Sequence, residues 1–142
     1  MELDRIYTDL ILEASTSKKN MRELEDPDFK ELGHNPSCGD ELTLMLQMNG
    51  DILEDISFIG EGCAISRAST SLMIDILKGK SKGEALKIIS SYLNMIRGES
   101  LSKEEFKSLK DARVFENIKN LPARVKCATL AWHTMENILE RE

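Results

Sequence analysis

Glu41-Leu42-Thr43-Leu44-Met45-Leu46-Gln47-Met48-Asn49-Gly50-Asp51-Ile52-Leu53-Glu54-Asp55-Ile56-Ser57-Phe58-Ile59 is the stretch whose reading decides the fold. Leu42, Leu44, Leu46 and Met48 alternate with Thr43, Met45 and Gln47, the two-residue period of a strand covered on one face. Asn49-Gly50-Asp51 is a turn signal, and Ile52 to Ile59 reads as a second strand with Ile56 and Phe58 on its more apolar face. Leu42 and Leu44 must then share a face with Ile56 and Phe58. A two-residue Asn-Gly loop would set Leu44 opposite Asp55. A three-residue loop pairs even positions with even ones, and is the expectation.

Helical periods surround this hairpin. Before it, Leu3, Ile6, Tyr7, Leu10, Ile11 and Ala14 form one apolar stripe. Ser15 to Asn20 ends that stripe, and Met21 to Gly33, charged and holding Pro27, reads as a long loop with at most a short turn of helix. After it, Gly60-Glu61-Gly62 closes the strand, and Ala64, Ile65, Ala68, Leu72, Met73, Ile76 and Leu77 repeat helically as far as Gly79. Ser81 and Glu84 have capping-box spacing ahead of a stripe of Leu86, Ile89, Leu93 and Ile96, which Gly98 closes. Ser102 and Glu105 repeat the signal before Phe106 and Leu109, and Val114, Phe115 and Ile118 mark a further short helix. Pro122 suits the first turn of a last helix with the stripe Val125, Ala128, Trp132, Met135 and Leu139. The expected architecture is α+β, a small antiparallel sheet packed against a layer of helices, with residues 1–142 as one domain.

Composition narrows the function. Hydrophobic residues at 41% and charged residues at 31% describe an ordinary soluble chain. No apolar run approaches the roughly 20 residues of a membrane span. The acid-bearing, amphipathic start is unlike a signal or transit peptide, so the cytoplasm is the expected compartment. Nineteen Lys and Arg against 25 Asp and Glu give a net charge of −6, and aromatics are only 5%. Both argue against nucleic acid as a partner. Three cysteines are an odd number, and a reducing compartment disfavours a disulfide framework.

The cysteines stand where the chain turns. Cys38 lies in Asn35-Pro36-Ser37-Cys38-Gly39-Asp40, Cys63 follows Gly60-Glu61-Gly62 at a helix start, and Cys127 lies early in the last helix. Free backbone N–H groups at such places stabilise thiolates. Cys38 and Asp40 are two residues apart, a spacing that points both side chains one way in an extended segment, and Gly39 lets the backbone bend around an ion. Three thiolates and one carboxylate would make a tetrahedral zinc site of the Cys₃Asp type. Free cysteine is equally often a small buried hydrophobe, and without a CxxC pair spacing alone leaves the two readings balanced. His34 lies within reach of the Cys38 loop. His133, six residues past Cys127, sits about 600° around the helix and reads as a surface residue. Arg124 and Lys126 read as solvated charges that would attract an anionic sulfur species if a thiolate cluster lay beside them. Met45, Met48, Met73 and Met135 read as core.

Asn35-Pro36-Ser37-Cys38-Gly39-Asp40, Gly60-Glu61-Gly62-Cys63-Ala64-Ile65-Ser66-Arg67-Ala68-Ser69 and Pro122-Ala123-Arg124-Val125-Lys126-Cys127-Ala128 together resemble the IscU/NifU-N family over nearly the whole chain. Within it they are similar to the SufU branch. IscU-type scaffolds carry a histidine before the third cysteine, where this chain has Lys126, and the interval from Cys63 to Cys127 is lengthened around Gly98 to Asp111. The resemblance implies an IscU/SufE-like fold and a zinc ion held by Cys38, Asp40, Cys63 and Cys127. It implies Cys38 as the thiol that accepts persulfide sulfur from a SufS-type cysteine desulfurase and passes it toward downstream Suf cluster-assembly components, making the chain a zinc-dependent sulfurtransferase. An IscU-type scaffold, on which an iron–sulfur cluster is built and handed on, is the alternative, with iron or a cluster bound transiently. No membrane partner is expected.

Overall fold

In the computed structural model, which describes residues 2–36 and 39–141 (2–7 as backbone only), the hairpin is present. Strand β2 (Asp40–Asn49) pairs antiparallel with β3 (Ile52–Glu61), with Leu44 opposite Phe58 and Leu46 opposite Ile56. The even-with-even pairing is therefore as expected, but it is reached differently. Asn49 pairs with Ile52 and Met48 with Leu53, so the loop is the two residues Gly50 and Asp51, with Gly50 at φ +61°. A bulge beside Gln47 and Met48 then adds one residue on β3 and restores the parity. The core demanded that Leu42, Leu44, Ile56 and Phe58 share a face, and all four are buried. A bulge met that demand where a longer loop was expected.

The larger difference lies upstream. Phe29–Asn35, read as loop from the sequence, is an edge strand, β1, antiparallel to β2 in a sheet of order β1-β2-β3. Its pattern is inverted. Gly33 and Asn35 are buried and Glu31 is half-buried, while Leu32 is 59% exposed. Past Phe29 the inward positions hold residues that hydropathy places outside, so no alternation reaches the sequence. Gly33 is inside because a Cβ there would lie 2.5 Å from Thr134 Oγ1 on the last helix.

Helix α1 (Glu2–Thr16) precedes the sheet, and α2 (Ala64–Leu77), α3 (Lys82–Ile96), α4 (Lys103–Ser108) and α5 (Pro122–Arg141) follow it. Both expected capping boxes form, with Ser81 and Ser102 each accepting from the backbone N–H three residues on. Each such cap stabilises its helix by about 1 kcal/mol. Two 3₁₀ turns, Lys110–Phe115 and Ile118–Asn120, replace the single short helix expected near Val114. The stripe of α3 is centred on Ala85, Ile89, Tyr92 and Ile96, with Leu86 only half-buried. Met45, Met73 and Met135 are buried, and Met48 packs against the core from its edge. No helix among the described residues is long and apolar enough to cross a membrane.

The chain between α1 and β1 is tied to both edges of the hairpin. The Asn20 carbonyl accepts from Phe58 N at 3.0 Å, and Asp28 N donates to the Leu46 carbonyl at 2.8 Å. Arg22 Nη2 donates to Asp55 Oδ1 at 2.6 Å, and Lys78 Nζ stands 3.3 Å from the same oxygen. The Arg22 hydrogen bond, with Lys78 assisting, holds Asp55 below its ordinary carboxylate range. A lowered folded-state pKa adds stability above the unfolded value and loses it as the pH falls through the folded one. Asp55→Asn is expected to lower the thermal midpoint at about pH 7 and to match the parent near about pH 2. An equal difference at both pH values would show that the pair adds nothing to stability.

Candidate metal centre

The first residue of β2, the last of β3 and the starts of α2 and α5 meet at one end of the sheet. Gly39, at φ +70°, turns the chain into Asp40. Gly39 itself is therefore not in an extended conformation. Cys38 itself lies outside the described residues. Asp40 is fully buried. Its Oδ1 accepts the backbone N–H of Cys63 at 2.9 Å.

Cys63 is the N-cap of α2, in extended conformation, and its sulfur accepts from Ser66 N at 3.4 Å. A thiolate at this position meets the free N–H groups and the positive end of the helix dipole. Cys127 lies in the second turn of α5 and is buried. One ligand atom each from Asp40, Cys63 and Cys127 lie within 4.8 Å of one another, giving a three-donor cluster. The sequence placed these three residues together through the family resemblance, and the fold brings them to one point.

The fit to a cation rests on Asp40. Its Oδ2 is buried and has no hydrogen-bond partner among the described residues. An unsatisfied buried carboxylate oxygen costs more than a neutral polar group, at least about 1–3 kcal/mol, unless a cation meets it. Ligand atoms around one small tetrahedral ion stand roughly 3–4 Å apart at metal–sulfur distances of about 2.3 Å, so a cluster of this span closes on an ion with small side-chain rotations. Two sulfurs and one carboxylate oxygen suit zinc or iron better than magnesium or calcium.

Two further residues were not singled out for a role in the sequence. Gly62 leaves no room for a side chain, since a Cβ would lie 2.9 Å from Asp40 Oδ1 and 3.2 Å from Ser66 Oγ. Ser66 supplies the N–H that caps Cys63, and its own buried hydroxyl has no hydrogen-bond partner among the described residues. The N-cap spacing Cys63 to Ser66 was the available signal. Gly62→Ala is expected to push the Asp40 carboxylate off Cys63 N and to weaken metal binding about 10- to 100-fold, as loss of an orienting contact does. The circular-dichroism spectrum should be unchanged. Unaltered affinity on chelator competition would show that Asp40 can move at no cost.

The histidines stay apart from the cluster. His34 is exposed and pairs with Glu41, one residue out of phase with the Asn35–Asp40 pair, so it faces the other side of the sheet. His133 is a surface residue with its Nδ1 3.8 Å from Glu136. Arg124 and Lys126 are exposed at the mouth of α5. The stretch from Gly98 to Asp111 forms α4 and its flanking turns, with Leu109 buried. None of its residues enters the three-donor cluster.

A three-stranded antiparallel sheet under a helical layer, with an acid and two thiols buried at the sheet end, defines a small α+β protein class with a thiol-rich centre. The NifU-like N-terminal domain family matches residues 6–128, and the chain belongs to it. An iron–sulfur cluster assembly scaffold protein IscU of Thermotoga maritima is 39% identical over 141 residues, 99% of this chain and 97% of the relative. The zinc-dependent sulfurtransferase SufU of Bacillus subtilis is 35% identical over 140 residues, 99% of this chain and 93% of the relative. A crystal structure from Fervidobacterium islandicum AW-1, described as a scaffold for the SUF system, superposes with a TM-score of 0.87 at 40% identity, covering 95% of this chain and 97% of that one.

Proposed function

We propose that this chain works in iron–sulfur cluster assembly as a zinc-bound sulfur relay. In this reading it accepts persulfide sulfur from a SufS-type cysteine desulfurase and passes it to downstream Suf components in the cytoplasm. The observation that carries the reading is the buried Asp40 carboxylate, one oxygen committed to Cys63 N and the other without a hydrogen-bond donor among the described residues, beside two thiols. Cys38, two residues before Asp40, completes a Cys₃Asp ligand set with Asp40, Cys63 and Cys127. A bound zinc ion would keep these thiols as thiolates and shield them from oxidation.

The chain's residues divide the work. Asp40, Cys63 and Cys127 are anchored at a strand start and two helix starts and hold the centre. Cys38 lies between Pro36 and Gly39 and is the carrier. Its thiolate attacks the outer sulfur of the desulfurase persulfide. A new S–S bond forms on Cys38 as the bond to the enzyme's sulfur breaks, and the enzyme's cysteine leaves as a thiolate. Exposed Arg124 and Lys126 offer positive charge to that anionic exchange.

The second reading, a scaffold on which a cluster is built, is favoured by the scaffold name of the Thermotoga relative. Lys126, which stands where the family resemblance gives IscU-type scaffolds a histidine, favours the relay. Metal analysis and a desulfurase turnover assay separate the two. Zinc in the purified protein with strong stimulation of the desulfurase supports the relay. A labile cluster that transfers to apo-proteins, without stimulation, overturns it in favour of the scaffold.

A further inference from the structure

Between the helix that starts at Cys63 and the helix that carries Cys127 lies a closed chain of buried hydrogen bonds to which neither the ligand set nor the sulfur transfer assigns a part. Ser69 Oγ donates to the Ala128 carbonyl at 2.6 Å and accepts from Trp132 Nε1 at 2.9 Å. Tyr92 of α3 donates to the same carbonyl at 2.8 Å, with its hydroxyl 3.3 Å from Ser69 Oγ. Its ring stacks on Trp132, centroids 3.8 Å apart and planes 6° from parallel. Ser69 is 1% exposed, and Tyr92 and Trp132 are fully buried.

We propose that Ser69 is a positioning residue for the metal centre, fixing the height of α5 along α2 and with it the separation of the Cys63 and Cys127 sulfurs. This rests on the metal-binding reading above. Ser69 lies six residues past Cys63, about 9 Å along the same helix. The carbonyl it grips belongs to Ala128, the residue after Cys127. Trp132 is one turn further along α5, so Ser69 holds that helix at two points a turn apart, one as donor and one as acceptor. Sliding α5 in either direction breaks both bonds and leaves a buried indole N–H and a buried hydroxyl unpaired.

Apolar packing alone would not supply this register. α2 and α5 pack together, with Ala68, Leu72, Ala131 and Met135 in one shared apolar core, but such contacts are non-directional and tolerate small shifts. Directional bonds remove that freedom. Metal ligation needs it removed, because ligand distances tolerate only about ±0.2 Å. Tyr92 adds a second donor from a third helix. Burial pushes its pKa well above the ordinary tyrosine value, so it remains a protonated donor. The Phe115 ring, from the 3₁₀ turn that follows α4, packs edge-on to Tyr92.

The test compares the parent with Ser69→Ala and Tyr92→Phe, each as the full chain. Zinc affinity is measured by chelator competition, the visible spectrum by cobalt substitution, and the thermal midpoint on the metal-free protein. A positioning role predicts that Ser69→Ala weakens zinc about 10-fold or more and shifts the cobalt bands, and that Tyr92→Phe does the same to a smaller degree. A merely structural role predicts a lower metal-free midpoint with zinc affinity within about twofold of the parent and an unchanged cobalt spectrum, and that result overturns the proposal. If Ser69→Ala does not fold, Tyr92→Phe decides by the same two readouts, since it keeps the ring stack and the Ser69 bond. A parent protein that binds neither zinc nor cobalt would instead overturn the metal reading itself, and the proposal with it.

Discussion

Stripping the metal from the purified protein with a chelator is expected to lower its thermal midpoint by more than about 10 °C, and one equivalent of zinc should restore it. Binding to the folded state alone stabilises by about 4 kcal/mol when free ligand stands a thousandfold above the dissociation constant. For a chain of this size each kcal/mol moves the midpoint by roughly 3 °C. The source is local. Without a cation the buried Asp40 has an oxygen that no donor among the described residues meets, and the Cys63 and Cys127 thiols lie in the same small cluster. Asp40→Ala should keep the fold, since the orphan oxygen leaves with the side chain, but should bind zinc more weakly and transfer sulfur less well. Purified protein that contains no zinc, with a midpoint indifferent to chelator, would remove the basis of the proposed function.

Cys38→Ala is expected to abolish stimulation of a cysteine desulfurase while leaving the metal-free fold intact. The contrast with the other two thiols is the informative part. Cys63 caps α2 through Ser66 N, and Cys127 is buried in the second turn of α5, so replacing either with alanine should also lower the thermal midpoint. Loss of the Cys63 cap alone is worth about 1 kcal/mol. Cys38 lies in a short turn-forming stretch between Pro36 and Gly39 that offers few apolar anchors. Mass spectrometry after incubation with desulfurase and cysteine should find one added sulfur atom on Cys38. An adduct mainly on Cys127, or full stimulation by the Cys38 variant, would assign the relay to another residue.

The hairpin and the helices were legible because their side chains report burial directly. Leu42, Leu44, Ile56 and Phe58 show the period of two, and Ser81 and Ser102 announce their helices by capping chemistry that is local in sequence. Strand β1 was not legible, because after Phe29 its inward positions are Glu31, Gly33 and Asn35. Gly33 is chosen for the approach of α5, and Glu31 pairs with Arg141 at the far end of the chain. The bulge beside Gln47 was hidden for a related reason. The sequence showed that parity had to be even, but whether a loop or a bulge supplies the extra residue is decided by the twist and packing of the whole sheet.

The site divides the same way. Cys38, Asp40, Cys63 and Cys127 could be named as candidates from turn and helix-start contexts and from the family resemblance, because glycines and caps are local requirements. Spacing alone could not establish that Asp40, Cys63 and Cys127 converge, since 23 residues separate Asp40 from Cys63 and the fold must close both intervals. The tertiary structure decided that, together with the commitment of Asp40 Oδ1 to Cys63 N and the exclusion of a side chain at Gly62. It also decided the gripping of Ala128 and Trp132 by Ser69. Residue chemistry is written along the chain, whereas the height of one helix against another is set by contacts between residues about 60 apart, for which a single sequence carries no local signal.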